Sequence, residues 1–142
     1  MMKKNLLFLC TGNSCRSQMA EAWLRHLKTT EFNAYSAGIE QHGLNAKAVQ
    51  VMADVNVDMS HHHSKSLDDL ADINFDYVFT VCGHANETCP YFPGSAKVIH
   101  VGFDDPPKLA ESLTKESEIL DCYRRVRDEI KTFVENIEQH LN

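Results

Sequence analysis

Asn5-Leu6-Leu7-Phe8-Leu9-Cys10 runs directly into Thr11-Gly12-Asn13-Ser14-Cys15-Arg16-Ser17, and this junction decides the fold. The first half is a short apolar run ending at a turn, the pattern of a strand buried on both faces. Beyond the turn, Met19, Ala20, Ala22, Trp23 and Leu27 recur at helical spacing and predict a helix over 16–28. Between strand and helix lies C-x5-R-S. Five residues between Cys10 and Arg16 let the backbone curl around a tetrahedral oxyanion. Its N–H groups then point inward, and the helix N-terminus adds its partial positive charge. Thr11, Gly12, Asn13, Ser14, Cys15, Arg16 and Ser17 are the predicted oxyanion-binding set. Gly12 and Asn13 are expected to supply the positive φ angles of the curl. Arg16 offers a fixed fork for two oxygens. The same field favours Cys10 as a thiolate nucleophile, with Ser17 donating to its sulfur.

Outward from this unit, strands and helices alternate. Residues 34–36 read as a short second strand ending at Gly38, and Asn45 is placed to cap a helix bearing Ala48, Val49, Met52 and Ala53. Ser66 can cap another short helix, and residues 76–81 and 97–101 are further strands. Residues 115–140 carry Ile119, Tyr123, Val126, Ile130, Phe133, Ile137 and Leu141 as one apolar stripe. The pattern predicts a single α/β domain over 1–142. Its core is a doubly wound four-stranded parallel sheet of order 2-1-3-4, flanked by helices. In that order ligands bind at the switch point beyond the carboxyl ends of the first and third strands. Cys10 ends the first and Cys82 the third, so the two should face one crevice. Asp104 and Asp105 follow the fourth strand to the same edge.

The 142 residues suit one domain, and 43% hydrophobic residues suffice for a core. With 14 Lys plus Arg against 20 Asp plus Glu, the net charge is -6, which favours neither nucleic acid nor an anionic membrane. An anionic substrate must therefore be held by local groups. The lysines before the short apolar run only weakly mimic a signal peptide. No stretch approaches the roughly 20 apolar residues of a membrane span. An odd set of five cysteines, at 10, 15, 82, 89 and 122, argues against a secreted disulfide framework and suits a cytoplasmic protein with working thiols.

The segment CTGNSCRSQMAE at 10–21 resembles the low-molecular-weight tyrosine phosphatase superfamily, and more closely the thioredoxin-coupled arsenate reductases built on that fold. The similarity continues through YSAGIE at 35–40, HGLN at 42–45, TVCGHANETCP at 80–90, GFDDP at 102–106 and RVRDEI at 125–130. It implies reduction of arsenate to arsenite for detoxification, with phosphate or sulfate as substrate analogues. Cys10 would attack arsenic. Cys82 would then attack Cys10 as arsenite leaves, and Cys89 would attack Cys82. Thioredoxin would reduce the final disulfide, with no tightly bound cofactor. Asp105, directly before Pro106, would be the acid that protonates the leaving oxygen. Some relatives hold a monovalent cation near the loop. The matching positions here are Asn13, Glu21 and Ser36, but Lys65 stands where relatives carry an acidic residue.

A dithiol supplies the two electrons that arsenate reduction requires, whereas a phosphatase needs one cysteine. A disulfide needs Cα atoms within about 7 Å. A regular helix would hold positions 82 and 89 about 10 Å apart, so residues 83–92 are expected to rearrange on oxidation. Gly83, Asn86 and Pro90 are consistent with weak packing there. Cys15 is a rival resolving thiol, Cys122 is read as bland, and C-x6-C is not a usual zinc spacing. Asp104 is read as a turn or capping residue, and His61, His62 and His63 as a solvated turn. His42 and His84 border the crevice without an assigned role. Gln18 replaces the proline usual in the phosphatases, and Pro107 and Lys108 stand where those enzymes often place aromatic residues. A protein tyrosine phosphatase and a non-enzymatic oxyanion-binding module are the competing readings. No apolar stripe is left over, so a monomer is the default.

Overall fold

The computed structural model describes residues 3–82 and 95–141, with Cys82 described in its backbone alone. Four parallel strands form one sheet in the order β2-β1-β3-β4. They are β1 (Lys4–Cys10), β2 (Phe32–Gly38), β3 (Tyr77–Cys82) and β4 (Lys97–Phe103). The expected order is the observed one.

The centre of the sheet is apolar on both faces because helices cover both. Leu6, Leu7, Phe8 and Leu9 of β1 are all fully buried. Leu6 and Phe8 pack on one side with Phe79, Met19, Trp23 and Ile130. Leu7 and Leu9 pack on the other with Ala37, Val78, Leu70 and Phe75. Each strand residue turns its side chain opposite to its neighbour's, so an unbroken apolar run feeds two half-cores. At the edge, β4 exposes alternate residues, and Val98 is 48% exposed.

Helix α1 (Arg16–Leu27) and helix α4 (Glu116–Glu135) pack together against the first face. The Trp23 indole N–H donates to the Arg127 carbonyl at 3.1 Å, which ties the two helices polar group to polar group. Helix α2 (Ala46–Ala53) starts at Asn45, whose side-chain oxygen accepts from the Lys47 and Ala48 N–H groups, as its sequence predicts.

Several boundaries differ from the sequence reading. β2 spans Phe32–Gly38, longer than 34–36, because all seven residues pair with β1. Ser66 does precede a short helix as its N-cap, and that helix is of the 3-10 type, Leu67–Leu70. The last stripe is interrupted at Asn136, where α4 gives way to a 3-10 turn at Ile137–His140. A short helix α3 (Pro106–Ala110) follows β4 where none was expected. Its signal is Pro106, whose fixed φ and missing N–H suit the first helical position. Among the described residues, no helix is long and apolar enough to cross a membrane.

Candidate active site

A cleft of about 520 Å³ opens beyond the carboxyl ends of the strands. It is lined by Cys10, Thr11, Gly12, Ser14, Cys15 and Arg16 of the loop, with Ile39 and His42 on one side and Asp105 and Pro107 on the other. The sheet order explains the assembly. Leu9 of β1 pairs with Thr80 of β3, so Cys10 and the backbone of Cys82 reach the same edge. Cys82 pairs with Phe103 of β4, which delivers Asp105 beside them.

The loop is shaped from outside by the segment after β2. The carbonyls of Cys10, Thr11, Gly12 and Ser14 accept from the N–H groups of Ile39, Glu40, His42 and Asn45 at 2.9–3.3 Å. Each peptide is planar and trans, so a carbonyl turned outward turns the following N–H the other way. Helix α1 has Cys15 at its N-cap with no side-chain cap, leaving its first N–H groups to the loop and cleft.

Cys10 is buried at the loop entrance, and its Sγ lies 3.1 Å from Ser17 Oγ. Asn13 Nδ2 donates to Ser17 Oγ at 2.9 Å. The Ser17 proton is thereby free to point at sulfur. Arg16 lies along the cleft wall, its guanidinium donating to the Phe103 carbonyl at 3.1 Å and the Val81 carbonyl at 3.4 Å. Asp105 stands 3.7 Å from the same guanidinium and is partly exposed. A thiol, a guanidinium and a carboxyl group thus share one cleft, groups of the kinds that attack on a tetrahedral oxyanion with protonation of its leaving oxygen requires.

Some expectations need correction. Gly12 does not adopt a positive φ; Asn13 does, at 49°. What distinguishes Gly12 is close approach instead: a Cβ there would lie 2.3 Å from His42 Nδ1, so the ring would have to move to admit one. Asn13 and Ser17 are fully buried behind the loop rather than lining the cleft. The residue at the N-cap of α3 is Asp105, not Asp104. Asp104 pairs with Arg125 at 3.0 Å on the surface. His62 is not solvated: its side chain is 3% exposed and its Nδ1 lies 2.9 Å from Gln18 Oε1. Burial pushes the His62 imidazole below its ordinary value. Burial also drives the Cys15 thiol far up, with Asp105 adding to it, so Cys15 stands as a protonated thiol. Cys122 is half-buried on α4. Cys89, His84, Gly83, Asn86 and Pro90, and with them the expected rearrangement of 83–92, lie outside the described residues.

Gln18 was legible only as a departure from a pattern. Fully buried, its Nε2 donates to Asn13 Oδ1 at 2.9 Å and to the His63 carbonyl at 3.0 Å. These acceptors fix the amide so that Oε1 faces His62, which must then carry its proton on Nδ1. His42, expected at the border of the crevice without a role, does line the cleft. Its Nε2 lies 2.6 Å from a Glu40 oxygen while its ring walls the cleft. A helix face that is apolar except for one amide is the sequence signal for Gln18.

The model of the family described as low molecular weight phosphotyrosine protein phosphatase matches residues 5–142. An arsenate reductase of Staphylococcus aureus strain Newman is 45% identical over 136 residues, covering 96% of this chain and 97% of that protein. An arsenate reductase of Halalkalibacterium halodurans is 48% identical over 139 residues, covering 95% and 98%. A solved structure described as an arsenate reductase in the phosphate binding state matches with a TM-score of 0.73 at 26% identity, covering 98% of this chain and 99% of that one.

Proposed function

The chain belongs to the low molecular weight phosphotyrosine protein phosphatase family, and from that premise we propose that it reduces arsenate to arsenite through Cys10, Cys82 and Cys89, with thioredoxin returning the electrons. Relatives sharing 45% and 48% of their residues over nearly the whole chain bear the name arsenate reductase. The observation that carries the reading past a simple phosphatase is that a cysteine, Cys82, ends β3, the neighbour of β1, so that its backbone reaches the edge where Cys10 stands.

In this mechanism the loop N–H groups and Arg16 hold the oxygens of arsenate. The Cys10 thiolate, supported by Ser17, attacks arsenic. Asp105 donates a proton to the departing oxygen, which leaves as water. The Cys82 thiolate then attacks Cys10 sulfur. The new S–S bond forms as the S–As pair of electrons passes to arsenic, and arsenite leaves. Cys89 attacks Cys82 sulfur, freeing Cys10 as a thiolate. A dithiol donor reduces the remaining 82–89 disulfide, and thioredoxin has the matching two-electron chemistry. Free thiols of this kind suit the reducing cytoplasm. Cys15, buried and protonated, is a poorer rival for the resolving role than a thiolate would be.

The test is arsenate-dependent NADPH oxidation with thioredoxin and thioredoxin reductase. The native chain should sustain it, and Cys89→Ser should stop after one turnover. Because the same cleft equips a phosphatase, Cys82→Ser should be compared on an aryl phosphate. Reductase turnover surviving in Cys82→Ser would sink the relay. Aryl phosphate turnover without any arsenate reduction would favour the phosphatase.

A further inference from the structure

Glu21 is buried on α1 behind the anion loop, with fixed groups around both oxygens. Arg25 lies 2.8 Å from Oε2, and the Lys65 ammonium lies 3.6 Å from Oε1. The Ser36 hydroxyl donates to Oε1. His62 Nε2 is 4.0 Å from Oε2, and burial favours the neutral ring. This is the place where the family resemblance puts a monovalent cation, through Asn13, Glu21 and Ser36.

The residues present do not fit such an ion. A cation needs oxygen lone pairs. Asn13 Oδ1 already accepts from Gln18 Nε2 at 2.9 Å and from the Lys65 N–H at 2.8 Å, which uses both of its acceptor sites. Each Glu21 oxygen already faces a fixed cation. A dissolved ion would add a third positive charge around one carboxylate, beside Arg25 and Lys65.

We propose that the Lys65 ammonium is a tethered replacement for a dissolved cation, and that Lys65 positions the nucleophile loop. It acts through two attachments of one residue. Its side chain is held at Glu21 and at the His63 carbonyl, 3.0 Å away. Its backbone N–H then holds Asn13, Asn13 holds Ser17, and Ser17 touches Cys10. Lys65 is absent from the cleft lining, so it acts only through the loop. The inference rests on the anion-loop part of the proposed function and not on the cysteine relay.

The experiment compares the native chain, Lys65→Ala and Lys65→Asp in potassium chloride and in choline chloride at equal ionic strength. It reads the thermal unfolding midpoint and the calorimetric affinity for inorganic phosphate. The native chain should give the same values in both salts. Lys65→Ala, which frees Glu21 Oε1 and the His63 carbonyl for an ion while Asn13 stays bonded, should bind phosphate roughly tenfold more weakly in choline and recover most of that in potassium. Lys65→Asp should depend on potassium more steeply, in midpoint and in affinity alike. A native chain stabilised by potassium would overturn the proposal. So would a Lys65→Ala chain whose loss potassium does not repair, or one that loses nothing. If a variant fails to fold in choline, folding in potassium supports the proposal and failure in both salts overturns it. Neither readout involves arsenate turnover, so a failed relay leaves the test standing. A native chain that does not bind phosphate would instead refute the anion loop itself.

Discussion

The two sides of the anion loop are built from the same few residues and follow opposite rules. On the cleft side, Thr11 and Ser14 are half-buried, and the rim residues His42 and Ile39 are about half exposed, at 51% for the His42 side chain and 52% for Ile39. On the hidden side, Asn13, Ser17 and Gln18 are fully buried and bonded to one another. The cleft side has to leave donors unspent for a visitor. The hidden side has to leave none, because an unpaired polar group there costs free energy that no solvent returns. Among the described residues, no buried side-chain nitrogen or oxygen lacks a partner. Substitutions on the cleft side should therefore change chemistry and spare stability, and those on the hidden side should do the reverse first.

The largest expected effect is on the cleft side. Cys10→Ser should lower arsenate turnover by at least about a thousandfold, since it removes the nucleophile. Its unfolding midpoint should stay close to native, and phosphate binding should persist. A large loss of stability would break the contrast at its strongest point. On the hidden side, Asn13→Ala strips partners from Ser17, Gln18 and the Lys65 N–H and puts a Cβ-only residue at positive φ. Denaturant unfolding should show a loss of about 2–3 kcal/mol. Turnover would fall as well, and a normal stability with lost turnover would show that the hidden side is catalytic in its own right.

The smallest effect sharpens the comparison through pH. His62 sits in the hidden layer with its value lowered by burial, while Glu21 pulls the other way. A lowered imidazole value means that the unfolded chain binds the proton more readily. Stability should therefore be full above the ordinary value of about 6.5 and decline as pH falls through it. His62→Gln keeps a donor for Gln18 and should flatten that decline in melts between pH 7.5 and pH 5. Equal slopes in the two chains would remove His62 from the account.

The sheet was legible because its central strand is an uninterrupted apolar run and its helices carry strong stripes. Both are local patterns. Leu6 to Leu9 and the stripe from Ile119 to Ile137 describe themselves. The cleft side was legible too, since Cys10, Arg16 and Ser17 lie within one short segment whose spacing is its meaning. The hidden side was not. Gln18 meets His62 and His63 only after β2, α2 and the following turn have come back beneath α1. The mistaken reason for Gly12 has the same origin. From sequence a glycine in a curl suggests a left-handed backbone, whereas its neighbour here is His42, thirty positions onward. Asp105 as the N-cap of α3 could have been read from Pro106, and the expectation attached the cap to the wrong aspartate.

The outward hydrogen bonds of the loop carbonyls mean that the cradle is set before anything enters it. Ile39, Glu40, His42 and Asn45 hold it from outside in the way a mould holds a casting. Such a cradle offers its donors to charge and tetrahedral shape, so under the proposed function phosphate would compete with arsenate for it. Selectivity then belongs to time rather than to fit. Phosphate visits and departs unchanged, because its central atom does not take electrons from thiols, whereas arsenate that stays long enough is altered. On that reading the working sensitivity of the protein would fall as the surrounding phosphate rises, by mass action on every encounter.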